Sequence, residues 1–484
     1  MQHHSDNYIC RMRYPRFTLS AFLLLLSVVI LIVTNVINQS TNDTGDSVMH
    51  FLYARHAVQH PMLFLEHWGK PLFTLLAAPF AMMGWTGMKT FNLLVTLLSM
   101  FFLSATAEKL FPKSRGAAAL LFISAPQLIL MTASGLTEPL FGLIMSIAIW
   151  SESRKLFWLG AVMISLSLFS RSEGQIILIV WMCWFIFNKR WKEIPLFFSA
   201  FLVYAIIGYF SKYHDFWWYF TKNPYEQPRY IYGAGPWDHF LTSFINITGP
   251  VLLVLAILGV LLLLFKALPA YLMRKDANAG VIVLAFLCVS GFLFFHSYAW
   301  ASGRFGSYGL LRVILGIYPL TVLLMVYAWQ ELSQKLYGKV KWIVPNAVLL
   351  LAIIYPFIGS KYSIHEADWK QHPSLLQMQE CLADLNQLTY PSLVSAAPLP
   401  AFVTGVDYFD DTKFRYLNTI ELAYTRKESI IVWDHHFAGS DMKLPAHLFL
   451  SDTARFELIK SCVPNEGQQG DSILIFRLKS APEW

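Results

Sequence analysis

Carboxylates and guanidinium groups set into an otherwise apolar chain are the side chains that call for a chemical reason. In TGDSVMHFLYAR, Asp46 and His50 stand four residues apart, so they share a face wherever the stretch is helical. A carboxylate there can take the proton of a hydroxyl nucleophile. It can equally open an interfacial helix, with Thr44 or Asp46 as the cap. In SGLTEP, Glu138 stands just before a proline at the edge of an apolar run. Such a charge is costly in hydrocarbon and tends to be functional, although Thr137, Glu138 and Pro139 are also ordinary helix-start residues. Arg171 and Glu173 share the tight turn FSRSEG, where they can pair to hold two helix ends or meet a substrate. Arg312 lies inside GLLRVILGIYP, where a guanidinium needs an anion. Phosphate oxygens fit its planar fork, and an ion pair with Glu138 or Glu173 answers the same need. Arg304, across a glycine-rich turn, is an accessory candidate. His50, Arg55, Glu66, His67 and Lys70 complete the candidate substrate contacts. The spacing of His50, His56, His60 and His67 matches no metal-binding motif, so solvated or interfacial histidines are expected and no metal ligand is assigned.

These groups must be carried by helices in a bilayer. Of 484 residues, 56% are hydrophobic and only 14% charged, against about 25% charged in soluble proteins. This excludes an ordinary soluble enzyme, a disordered chain and a coiled coil. Five cysteines make no disulfide framework. The net charge of +7 is better assigned to topology than to nucleic acid, because basic residues gather in cytoplasmic loops.

Eleven apolar runs are expected to span: 17–37, 88–106, 117–131, 138–151, 156–170, 174–187, 194–211, 246–267, 280–298, 308–329 and 342–358. With the N-terminus cytoplasmic, the inner segments hold 16 Lys and Arg, among them Arg11, Arg13 and Arg16, and the opposite loops before the tail hold 8. That asymmetry sets the orientation in a cell (inner) membrane. Residues 71–84 are apolar but too short to span, so the whole loop 38–87 is placed outside with 71–84 as a juxtamembrane helix. The expected fold is therefore an all-α polytopic membrane protein over 1–359, followed by a small extracytoplasmic α/β domain over 360–484. In that tail a helix is expected at 375–388 and strands at 429–433, 456–462 and 472–478. Cys381 and Cys462 either pair there or remain two thiols. The aromatic loop 212–245 is an interfacial belt, a substrate lid, or both.

A first-loop aspartate, a juxtamembrane helix, a second acid in a later turn, arginines near a helix end and a soluble tail together resemble the GT-C glycosyltransferases. The likeness is to bacterial polyprenyl-phosphate-sugar-dependent transferases of the protein O-mannosyltransferase and aminoarabinose transferase type. It rests on TGDSVMHFLYAR, SGLTEP, FSRSEG, GLLRVILGIYP and IIVWDHHF, with Trp433 and Asp434 in the last. Many members carry two adjacent acids in the first loop, where this chain has Gly45-Asp46. The resemblance implies transfer of a sugar, mannose or a related hexose, from a polyprenyl-phosphate donor, with inversion, to a glycan, lipid or protein acceptor on the outer face. It implies Asp46 and Glu138 as catalytic residues, leaves a divalent cation open as cofactor, and gives nucleic acid no part. A transporter or lipid-linked saccharide flippase is the competing class, although no internal repeat of the transporter kind is visible.

Overall fold

A computed structural model describes residues 19–224, 233–383, 390–418, 425–463 and 472–479. Arg11, Arg13, Arg16 and Arg229, and residues 225–232 of the aromatic loop, lie outside the described residues. The chain is mostly helical. Helices α1 (Leu19–Ile37), α4 (Trp85–Leu110), α11 (Phe244–Leu262, running on to Arg274), α12 (Ala277–Ala301) and α14 (Val340–Ile354, running on to Phe357), with the segment Trp191–Tyr213, are the six described helices long and apolar enough to cross a membrane. Shorter apolar helices α8 (Phe157–Ser170) and α9 (Gly174–Phe187) lie among them. Phe210, Phe265 and Met273 leave their side chains largely uncovered, as lipid-facing residues do. The chain is a multi-pass membrane protein.

Two expected runs are broken, each for a local reason. The run 117–131 divides into α5 (Arg115–Ile123) and α6 (Pro126–Met131). Ala125 takes an extended conformation before Pro126, because the proline ring disfavours the helical region for the residue ahead of it. The run 308–329 opens as a 3₁₀ turn, Leu311–Gly316, before α13 (Tyr318–Lys335), with Pro319 in the first turn of the latter. Arg312 thus sits on a tight turn and not inside a regular span.

The first loop carries α2 (Asp46–His56) and α3 (Pro71–Ala81), the latter within the expected juxtamembrane segment. Side-chain amides pin the neighbouring break. Asn35 Nδ2 donates to the Thr132 carbonyl at 2.8 Å, and Asn92 Nδ2 donates to the carbonyls of Ser134 at 2.6 Å and Leu136 at 3.1 Å. The carbonyls of the turn that follows α6 are thereby satisfied inside the bundle, as buried backbone groups must be. Gly135 then lies against α2: its N–H donates to Ser47 Oγ at 2.7 Å, and a Cβ here would collide with the Ser47 carbonyl. This contact fixes the start of α2 against the start of α7 (Glu138–Ser153).

After α14 the chain builds a mixed five-stranded sheet of order β2-β1-β3-β5-β4 from β1 (Leu393–Ser395), β2 (Phe414–Tyr416), β3 (Ile430–Asp434), β4 (Phe456–Cys462) and β5 (Ile473–Leu478). β1 is parallel to β2 and β3, while β5 is antiparallel to β3 and β4. Strand β3 is buried throughout, its apolar run Ile430–Trp433 ending on the buried Asp434. Helix α15 (Pro373–Leu382) is tied to β4 by a Cys381–Cys462 disulfide. The tail rests on the first loop. Phe402 packs on Phe51 and Trp85, Phe409 on Tyr53 at 4.8 Å, and Asp407 meets His56 at 3.3 Å and His60 at 2.9 Å.

Candidate active site

One cluster of charge forms where the loop before α2, the start of α7, the α8–α9 turn and the 3₁₀ turn at 311–316 converge. Arg312 lies at its centre. One terminal nitrogen donates to Asp43 and the other to Asp46, while Nε stands 3.8 Å from Glu138 Oε1. Glu138 is 2% exposed and accepts Arg171 Nη1 at 2.8 Å. Arg171 also donates to Glu173 at 2.7 Å and to Thr137 Oγ1 at 3.1 Å. Glu173 in turn faces His296 Nε2 at 3.6 Å. Lys70 Nζ enters from the start of α3 and donates to Ser172 Oγ at 3.0 Å.

Local sequence explains these placements. Asp43 Oδ1 accepts the N–H groups of Gly45 at 3.1 Å and Ser47 at 2.8 Å, so this residue, not Thr44 or Asp46, holds the entry to α2. Its Oδ2 is left to Arg312. Asp46 occupies the first turn of α2, where the helix dipole favours an acid, and its side chain is 46% exposed. Lys70 has φ of 60° just before Pro71. A non-glycine residue in this region costs about 1–3 kcal/mol and tends to mark functional sites.

Burial shifts the titration of groups in the first loop and the α8–α9 turn. Desolvation raises Asp43 above its ordinary value, opposed by Arg312. It lowers Lys70 to about 8 and His67 to about 3. His50 is pushed well below its usual range by burial and then by Lys70 and Arg171, so it is a neutral imidazole, stacked on Trp68 at 4.8 Å. Burial alone would raise Glu173, but Arg171 holds it down to about 2.

Of the residues expected from sequence, the cluster brings together Asp46, Lys70, Glu138, Arg171, Glu173 and Arg312, with His50 packed behind it. Four are held elsewhere. Arg55 lies over the Phe51 ring, Glu66 pairs with Lys212 at 2.6 Å, His67 packs on Tyr219 at 4.8 Å, and Arg304 bonds Tyr298 Oη at 3.2 Å on the surface. Sequence reading missed Asp43, Ser172 and His296. Asp43 stood three residues before Asp46, a spacing that should have suggested a second acid, and His296 was a lone histidine in an apolar run. Among the described residues no group of three or more His, Cys, Asp or Glu is arranged to hold a metal ion. The two first-loop carboxylates are instead directed onto Arg312.

No protein-family model and no curated protein matches the chain. Solved structures do. ArnT from Cupriavidus metallidurans bound to undecaprenyl phosphate superposes with a TM-score of 0.60 at 10% identity, covering 95% of this chain and 98% of that one. The chain shares the fold of ArnT. The apo form of the same ArnT gives a TM-score of 0.56 at 10% identity, covering 94% of this chain and 97% of that one. The apo oligosaccharyltransferase of Archaeoglobus fulgidus gives 0.53 at 10% identity over 92% of this chain and 73% of that one. The likeness therefore takes in the tail as well as the helices, and ArnT is matched over nearly its whole length.

Proposed function

We propose that this protein is an inverting membrane glycosyltransferase. It moves a hexose, mannose or a related sugar, from a polyprenyl-phosphate donor to an acceptor hydroxyl on the outer face of the membrane. The observation that carries the reading is the Arg312 cluster, a half-exposed carboxylate beside a buried guanidinium and a buried ammonium, in a fold whose ArnT example holds undecaprenyl phosphate.

In the proposed reaction, the acceptor hydroxyl gives its proton to Asp46 as its oxygen bonds to the anomeric carbon. The bond from that carbon to the phosphate oxygen breaks, and the polyprenyl phosphate leaves with both electrons. Arg312 and Lys70 stabilise the charge that develops on the leaving oxygens. The transition state has oxocarbenium character, which the acids around it favour. Before donor binds, Arg312 is committed to Asp43 and Asp46. Phosphate must displace these carboxylates from the guanidinium, and that exchange releases Asp46 to act as base. Glu138, Arg171 and Glu173 form the frame that keeps Arg312 in place. The fold likeness over the whole chain supports this reading over the transporter or flippase alternative. Purified full-length protein given a polyprenyl-phosphate mannose should release polyprenyl phosphate only when a hydroxyl acceptor is present. Absence of release with every polyprenyl-phosphate hexose would reject the reading.

A further inference from the structure

The tail motif IIVWDHHF builds a turn that is held at both ends. Trp433 and Asp434 close β3 and are buried. Trp433 Nε1 donates to the Leu444 carbonyl at 2.6 Å, and Asp434 Oδ1 accepts the Phe437 N–H at 2.6 Å. The Phe437 carbonyl accepts the Met442 N–H at 2.9 Å. Both backbone groups of Phe437 are thus fixed within the turn His435–Asp441, and the buried pair ahead of it sets where its ring goes.

That turn delivers the ring to Gly45. Phe437 Cζ lies 3.5 Å from where a Cβ on Gly45 would stand, and no other heavy atom of the described residues, chain neighbours aside, comes within 4 Å of that position. Gly45 stands between the two carboxylates that hold Arg312. Its N–H donates to Asp43 Oδ1, and its carbonyl accepts the Met49 N–H at 2.9 Å to open α2. Asp46 follows it, one Cα step of about 3.8 Å away. Two residues on from Gly45, Ser47 is fully buried and bonded to Gly135. The segment that carries Asp46 is therefore gripped at two points, by the bundle at Ser47 and by the tail at Gly45.

The exchange at Arg312 makes the second grip matter. Before donor binds, Asp43 and Asp46 are tethered to the guanidinium. Once phosphate takes their place that tether is gone, yet Asp46, half-exposed at the start of its helix, must still meet an acceptor hydroxyl within hydrogen-bond reach. A misplacement of about 1 Å can cost about 10²-fold in rate. An aromatic ring suits the task. It is stiff, it does not compete with phosphate or carboxylate for Arg312, and the glycine at 45 lets it come close. The other tail contacts fall further along, at Phe51, Tyr53, His56 and His60.

We infer that Phe437 is a positioning residue for the base: from the tail side it clamps the turn that carries Asp46, so that Asp46 stays in place after phosphate has displaced it from Arg312. The inference rests on the glycosyltransferase reading and gives the tail a part in it. The test uses the full chain in lipid nanodiscs. Phe437→Leu keeps an apolar side chain in the tail but stops short of Gly45, while Phe437→Met regains the reach. Hydrogen exchange over residues 43–49 reads the clamp whatever the reaction is. Single-turnover release from polyprenyl-phosphate mannose, and titration with undecaprenyl phosphate, read its effect on the site. In Phe437→Leu, exchange over 43–49 should quicken by about tenfold, as loss of a half-buried ring allows, with the rest of the tail unchanged. Release at donor saturation should fall by about 10-fold to 10²-fold. Undecaprenyl phosphate should bind as well as to wild type or better, because looser carboxylates compete less for Arg312. Phe437→Met should restore both exchange and release. Exchange and release equal to wild type in Phe437→Leu would overturn the inference. So would faster exchange across the whole tail with weakened undecaprenyl phosphate binding, which marks a structural role alone. Exchange over 43–49 that depends on Phe437, in a protein whose wild type releases nothing from the donor, would instead reject the transfer reading and support the clamp.

Discussion

Replacing Asp43 by asparagine should tighten donor binding. The two residues have the same shape, and Asn Oδ1 can keep both backbone bonds, from Gly45 and Ser47. What changes is Oδ2, which becomes an N–H group facing an N–H of Arg312. That corner of the guanidinium loses its acceptor and becomes available to phosphate. A hydrogen bond to a charged group is worth about 1.5–3 kcal/mol, or about 10- to 100-fold in binding. Asp43 is 23% exposed, so solvent screening trims this toward the lower end, about tenfold. The pH dependence has a definite sign. Because burial raises Asp43, the native state holds its proton more tightly than the unfolded chain does. Its contribution to stability is thus fully present below the ordinary carboxylate range and is lost as pH rises through the raised value. Donor affinity in wild type should fall over the same interval, as Asp43 ionises and claims Arg312. The asparagine variant should lack this component. Titration of undecaprenyl phosphate into nanodisc-embedded protein from pH 4 to 7 measures both effects. Equal or weaker binding by Asp43→Asn, with the wild-type pH slope retained, would refute the exchange at Arg312.

Three further outcomes are expected. Lys70 is charged below about 8, so phosphate binding should weaken as pH rises through that value, and Lys70→Met should bind weakly without that step. The same depressed value makes the unfolded chain bind the extra proton above pH 8, so Lys70's contribution to wild-type stability should rise between there and its ordinary value. Gly135→Ala places a methyl group against the Ser47 carbonyl and should cost about 1–3 kcal/mol, visible as a lower detergent-solution Tm; an unchanged Tm would mean that α2 is not pinned there. With the N-terminus inside and the tail outside, a cysteine introduced at the exposed residue Lys443 should react with an impermeant maleimide on intact cells, and labelling only after lysis would invert the topology.

The large-scale architecture was legible because hydropathy speaks for one helix at a time. Helices occupy the expected runs except for the breaks in 117–131 and 308–329, and the three strands expected in the tail are β3, β4 and β5. Breaks were harder to see, although Pro126 and Pro319 were both visible, because whether a proline kinks a helix or ends it depends on what satisfies the freed carbonyls. In the turn after α6, the carbonyls of Ser134 and Leu136 likewise depend on Asn92, more than forty residues away. The short strands β1 and β2 carry three residues each, too few for a period to show. The site was legible in its charges, since Asp46, Glu138, Arg171 and Arg312 each stood out against apolar surroundings. Their partners were not, because pairing is set by tertiary packing. Arg312 was expected to meet either a phosphate or Glu138 or Glu173, and it is held mainly by Asp43 and Asp46. Arg304, close in sequence, is carried to the surface by the glycine-rich turn.

The central claim is that Asp46 is the base in transfer from a polyprenyl-phosphate sugar. Asp46→Asn keeps the side-chain shape and cannot accept the proton, so turnover should fall by about 10²-fold or more while undecaprenyl phosphate still binds. The measurement is single-turnover release of polyprenyl phosphate by wild type and Asp46→Asn at matched donor occupancy. Slow release from a donor-saturated variant is the predicted result. Near-normal release from a folded, donor-bound Asp46→Asn protein would contradict the account and move the role to another acid, Glu138 first.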